Sequence, residues 1–129
     1  SISSSNFPYT FRQDPGERNA LGKLKFMFQN PWGIYLHDTS HRELFEDNMR
    51  SLSSGCIRVE DPIALANFSL TDTPKEKVLE LIENKENKGL KLRNSLTIYA
   101  VYFTVWSEDG EVFFSPDLYK RDQSLAKLL

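Results

Sequence analysis

The apolar positions of this chain fall into short runs with two different periods. "KLKFMF" (23–28) and "GIYLHD" (33–38) read as strands, with "QNPWG" as the turn between them. In the second run Ile34 and Leu36 share one face while Tyr35 and His37 share the other, because strand side chains alternate. Ser40-His41-Arg42-Glu43 has the form of a capping box and predicts a helix carrying Leu44, Phe45 and Met49. Asp61-Pro62 reads as an N-cap and first helical position for "PIALANFSL". Thr73-Pro74-Lys75-Glu76 predicts a further helix with Val78, Leu79, Leu81 and Ile82 on one stripe, closing near Gly89. "LTIYAVYFTVW" (96–106) is apolar on both alternations and predicts a strand covered on both faces. "SEDGEVFFSP" then predicts a hairpin through Asp109-Gly110. The pattern as a whole predicts one α+β domain over residues 1–129, with a β-rich core and several short helices.

Composition narrows the class. The 129 residues are 40% hydrophobic and 26% charged, which suits a globular domain with a real core. The net charge of −2 provides no overall attraction to nucleic acid or to an anionic membrane. No apolar run reaches the roughly 20 residues of a membrane span. The opening "SISSSNF" has neither the basic nor the apolar region of a signal peptide, so targeting information is expected to be absent or removed. A single cysteine, Cys56, excludes a disulfide scaffold and a multi-cysteine metal site.

That cysteine is the chemical question. A free thiol is largely protonated at neutral pH, so a nucleophilic Cys needs a base or positive neighbours. Gly55 before it permits backbone angles closed to other residues, and so lets main-chain N–H groups converge on one point as an oxyanion hole requires. Arg58 places a fixed charge two residues on, and Ser53 and Ser54 suit a tight exposed turn. His37 ends an otherwise apolar strand, where an imidazole needs a hydrogen-bonding role. Against this stands the plain alternative of a buried Cys packing as a small hydrophobe. Trp32, Trp106, Met27 and Met49 read as packing residues, Trp32 being the better pocket candidate, and His41 reads as a solvated residue of a first helical turn.

"IYLHDT" followed by "SSGCIRV", with nineteen positions from His37 to Cys56, resembles the signature of the L,D-transpeptidases, the YkuD-type catalytic domain. The likeness extends through "RQDPGERNALGKLKFMF" and "VYFTVWSEDGEVFFSPDLYKRDQ", and is strongest to the large periplasmic, lid-containing subgroup. The resemblance implies a β-sandwich core. It also implies that this chain corresponds to the C-terminal part of the domain, without the N-terminal strands and lid. It implies Cys56 as nucleophile and His37 as general base, with the backbone N–H groups of Gly55 and Cys56 as the oxyanion hole. Tyr35, Arg58, Ser54 and Trp32 match positions near the substrate. Many relatives carry a His where this chain has Ser54, a departure shared by the large subgroup. The implied substrates are peptidoglycan stem peptides in the periplasm or cell envelope, with carbapenems as covalent inhibitors and no cofactor or metal. Asp38 adjoins His37 but points to the opposite strand face, so a backbone carbonyl is the expected partner of the imidazole.

Three rival readings are weaker. A non-catalytic peptidoglycan-binding module or an inactive fragment would not need Cys56, His37, Gly55 and Arg58 together. In papain-like proteases the Cys opens a helix and the His lies far downstream. A zinc site from His37, His41 and Cys56 lacks the H-E-x-x-H spacing.

Overall fold

A computed structural model describes residues 6–128. The residues of "SISSS" lie outside the described range, so the expectation about the N-terminus has no structural counterpart. The chain divides into two compact units, at Ser1–Ser95 and Leu96–Leu129. Both helices and small sheets are present, an α+β composition.

The first unit is built on a three-stranded sheet in the order β1-β2-β3, with β1 at Lys25–Phe26, β2 at Leu36–His37 and β3 at Ile57–Arg58. The ladders are shorter than the apolar runs predict. β1 runs antiparallel to β2, pairing Lys25 with His37 and Phe26 with Leu36. β3 runs parallel to β2, pairing Leu36 with Ile57 and His37 with Arg58. The Ile57 and Val59 N–H groups donate to the Tyr35 and His37 carbonyls at 3.1 and 2.8 Å, which is the slanted pattern of a parallel pair.

The turn between β1 and β2 is organised by Asn30. Its Oδ1 accepts from the Trp32 and Ile34 N–H groups at 3.1 and 2.9 Å, and its Nδ2 donates to the Phe28 and Ile34 carbonyls. A short polar side chain replaces missing backbone partners here, as Asn commonly does in turns.

After β2 a 3-10 helix runs over Arg42–Phe45. The capping box predicted from Ser40 is not formed. The N-cap is His41, no side chain caps the helix, and the Thr39 hydroxyl accepts the His41 N–H at 3.1 Å instead. Glu43 is drawn to the His41 ring at 3.0 Å, which removes the reciprocal partner a capping box requires. Met49 lies beyond the helix and is exposed, as is Met27, so neither belongs to the core.

Helix α1, Pro62–Ser69, starts where the sequence places it. Asp61 Oδ1 accepts the Ala64 N–H at 2.9 Å and Pro62 occupies the first turn, where its missing donor does no harm. Helix α2, Lys75–Glu83, buries Val78 and Leu81 and half-buries Leu79 and Ile82, the predicted stripe. It stops well before Gly89, because Lys85 adopts a left-handed backbone at φ +54° and ends the helical run. Ala66 of α1, Val78 and Leu81 form the buried apolar centre.

The second unit contains the hairpin β4, Val105–Glu108, and β5, Glu111–Phe114, followed by α3, Asp122–Ala126. Asp109 and Gly110 both have positive φ, +49° and +84°, the requirement of the primed hairpin turn whose twist matches that of the strands. Trp106 stacks on its register partner Phe113 at 5.6 Å between ring centroids. The long two-sided strand expected at 96–106 is not formed. Residues 96–104 lie outside any ladder, and every residue of both strands is exposed. An apolar run becomes a buried strand only where other chain covers its two faces.

Candidate active site

Register and alternation together place the chemical side chains. Partners in adjoining strands project to the same face. Lys25, His37 and Arg58 are register partners across the sheet, so they share one face. Tyr35 precedes His37 by two positions and joins the same face. Cys56 precedes Arg58 by two positions and does so as well. A parallel crossover thus brings a cysteine and a histidine nineteen positions apart onto one surface.

Tyr35 links the two. Its ring meets the His37 imidazole edge-on, with centroids 5.8 Å apart and planes at 61°. Its phenol pKa is raised, first by burial and then by the neighbouring Cys56, which lies opposite Tyr35 in the parallel register. A phenol held in its protonated form can donate to a thiolate. The thiol itself is free and half-buried.

His37, Asp38 and Thr39 are all buried, which is unusual for such polar residues. Each is satisfied. The His37 Nδ1 hydrogen-bonds the Asp38 backbone carbonyl. A carbonyl oxygen only accepts, so the proton of the neutral ring sits on Nδ1 and its lone pair on Nε2. The Asp38 carboxylate takes another direction. It accepts the Lys23 N–H at 2.8 Å and pairs with Arg42 at 2.9 Å, while Arg42 also donates to the Glu60 carbonyl. His41, by contrast, is exposed and turns its Nδ1 to Glu43.

The loop before Cys56 is tied by Ser53. Its hydroxyl donates to the Cys56 carbonyl at 2.7 Å and accepts the Gly55 N–H at 3.3 Å. Gly55 has φ +139°, a conformation that any side chain disfavours. Among the described residues the Cys56 N–H meets no acceptor, so it is available to one that enters the site. From sequence Ser53 is only a small turn residue; its bonds to positions two and three residues on are not visible in composition.

Arg58 is half-buried beside this face, and Ser54 is exposed with no hydrogen bond among the described residues. Trp32 is 77% exposed, so it does not anchor the core as expected. Lys25, which no sequence signal singled out, places its Nζ 3.9 Å from the Tyr35 ring centroid. Two grooves of the first unit, one between residues 13–24 and α2 and one around Asp38 and Arg42, include neither Cys56 nor His37. Among the described residues no three His, Cys, Asp or Glu side chains gather closely enough to hold a metal ion, and no helix is long and apolar enough to cross a membrane.

A sheet that gathers a thiol, an imidazole with a free Nε2 and fixed cations defines a class of candidate cysteine-dependent acyl-transfer site. Residues 2–79, which span all of these side chains, match the L,D-transpeptidase catalytic domain. Over 126 residues the chain is 38% identical to a Haemophilus influenzae protein named "Putative L,D-transpeptidase". That alignment covers 94% of this chain and 25% of the relative, so the chain spans about a quarter of the length of the curated protein it matches. The chain belongs to the L,D-transpeptidase catalytic-domain family.

Proposed function

We propose that this chain carries the catalytic centre of a peptidoglycan L,D-transpeptidase acting in the periplasm or cell envelope. Cys56 Sγ attacks the carbonyl carbon between the third and fourth residues of a stem tetrapeptide. His37 Nε2 takes the thiol proton and returns it to the departing amine of D-alanine, leaving a thioester on Cys56. The side-chain amine of the third residue of another stem then attacks the thioester. Its proton passes to His37, the amide cross-link forms and the thiol is regenerated.

The placement of Cys56, Tyr35 and His37 on one sheet face, with Nδ1 committed to a carbonyl, is the observation that best supports this reading. The Cys56 N–H is the first donor for the tetrahedral oxyanion. The Gly55 N–H becomes the second once the oxyanion replaces the Ser53 hydroxyl as its acceptor. Arg58 is assigned to a stem carboxylate, and Ser54 and Trp32 to the exposed walls of the binding site. On this reading residues 1–129 belong to one catalytic domain with a sandwich core. The chemistry draws on thiol, imidazole and amide groups, with no cofactor assigned.

The test is intact mass after incubation with a carbapenem, compared with a penicillin. The expected result is a carbapenem adduct that maps to Cys56 and is absent from Cys56→Ser, with little penicillin adduct. An adduct on another residue would remove Cys56 from the nucleophile's role.

A further inference from the structure

The row formed by Lys25, His37 and Arg58 contains two cations with different surroundings. Arg58 of β3 is half-buried and, like Lys25, has no ion-pair partner among the described residues. Lys25 lies on the outer strand β1. Its ammonium does not stay above its own row. It crosses to the Tyr35 ring, at 3.9 Å from the centroid, one row along the sheet and level with Cys56. The ring it covers is the one that packs edge-on against His37.

We propose that Lys25 is a positioning residue for the cysteine: its ammonium holds the Tyr35 ring over the sheet, and the ring in turn holds its hydroxyl against the Cys56 sulfur. The proposal rests on the reading of Cys56 as nucleophile and adds a residue to it. The physical basis is the attraction of a cation to the negative face of an aromatic ring, which fixes an otherwise rotatable phenol. A held hydroxyl stabilises the thiolate more than a mobile one, because the donor is already in place when the proton leaves the sulfur. The titratable and charged groups that share the thiol's face are Lys25 of β1, Tyr35 and His37 on and before β2, and Arg58 of β3. The Asp38 carboxylate is turned away toward Lys23 and Arg42.

Iodoacetamide alkylation of Cys56 against pH, in the intact chain, reads this directly and needs no peptidoglycan substrate. Lys25→Met keeps the apolar stem and removes the charge. It is expected to slow alkylation at neutral pH roughly two- to fivefold, the worth of a cation–ring contact at an exposed site, and to move the profile to higher pH. Lys25→Arg keeps both charge and ring contact and should restore the parental profile. In a Tyr35→Phe background, which keeps the ring and loses the hydroxyl, Lys25→Met should have little further effect, while its thermal midpoint stays at the single-mutant value. A parental alkylation profile for Lys25→Met overturns the proposal. So does an undiminished Lys25→Met effect in the Tyr35→Phe background, which would mean that the charge acts without the tyrosine. Failure of the nucleophile reading shows separately, as a carbapenem adduct away from Cys56, because alkylation reports the Lys25–Tyr35 coupling for any free thiol at this position.

Discussion

The two compact units are held together in opposite ways. The first buries Ala66, Val78 and Leu81 and, beside them, the polar run His37-Asp38-Thr39. The second buries no residue among 96–128, although its sequence is the more apolar at 96–106. It is organised by polar side chains. Tyr102 donates to Asp117 at 2.8 Å, Asp117 accepts the Asp122 N–H at 2.8 Å, and the Thr104 hydroxyl donates to Asp122 at 3.0 Å. Apolar content alone therefore does not make a core. What counts is whether the fold brings two apolar faces together, and the candidate site lies in the unit where it does.

The largest expected effect tests the first unit's arrangement. His37→Ala should nearly abolish carbapenem acylation at neutral pH, whereas His41→Ala, whose ring is exposed and occupied by Glu43, should leave it almost unchanged. Acylation rates of the two variants decide the matter. A larger loss from His41 would break the assignment of the base.

Gly55→Ala should have the next largest effect. A methyl group at this position meets no atom within 4 Å, so it acts only through the backbone, by opposing φ +139° and turning the neighbouring N–H groups away. Loss of an oxyanion donor lowers rates by roughly 10²–10³, and the loss in acylation should exceed any change in thermal midpoint. Acylation at the parental rate would reduce Gly55 to a spacer.

The smallest effect sharpens the contrast from the side of the second unit. Burial pushes the Asp117 carboxyl up, but the N–H groups of Asp122, Arg121 and Lys120 and the Tyr102 hydroxyl outweigh it, and the net shift is downward. A carboxyl lowered in the folded state adds stability above its ordinary pKa. That stability is lost as pH falls through the folded value. Amide exchange at Asp122 and Lys120 should therefore speed up on acidification below the ordinary carboxylate range. Asp117→Asn should show fast exchange already at neutral pH. Exchange in α1 and α2 should follow neither change. Equal acid sensitivity in α1 would show that the units do not differ as described.

Local chemistry made some elements legible in the sequence. Asp109-Gly110 forms the hairpin it predicts because positive φ at both positions is a local preference. Asp61 caps α1 because the cap is made within three residues. The α2 stripe follows from helical period alone. Other expectations yield to their surroundings. The Ser40 cap gives way to competing neighbours, Thr39 and the His41–Glu43 pair, and Trp32, Met27 and Met49 lie in solvent because nothing in the first unit covers them. The shared face of Tyr35 and His37 was legible from alternation. The register that sets Arg58 opposite His37 was not, because parallel pairing leaves no local signature.

Asp38 divides its work between two atoms. Its carboxylate fastens the segment before β1 and the 3-10 helix, through Lys23 and Arg42, while its main-chain oxygen selects the tautomer of His37. The second task uses an atom common to all amino acids. Side-chain scanning at position 38 therefore changes the fastening and leaves the selecting atom in place. The protonation pattern of the imidazole is set by the path of the chain, and backbone chemistry such as an amide-to-ester exchange at the 38–39 linkage, which weakens that carbonyl as an acceptor, would address it where point mutation does not.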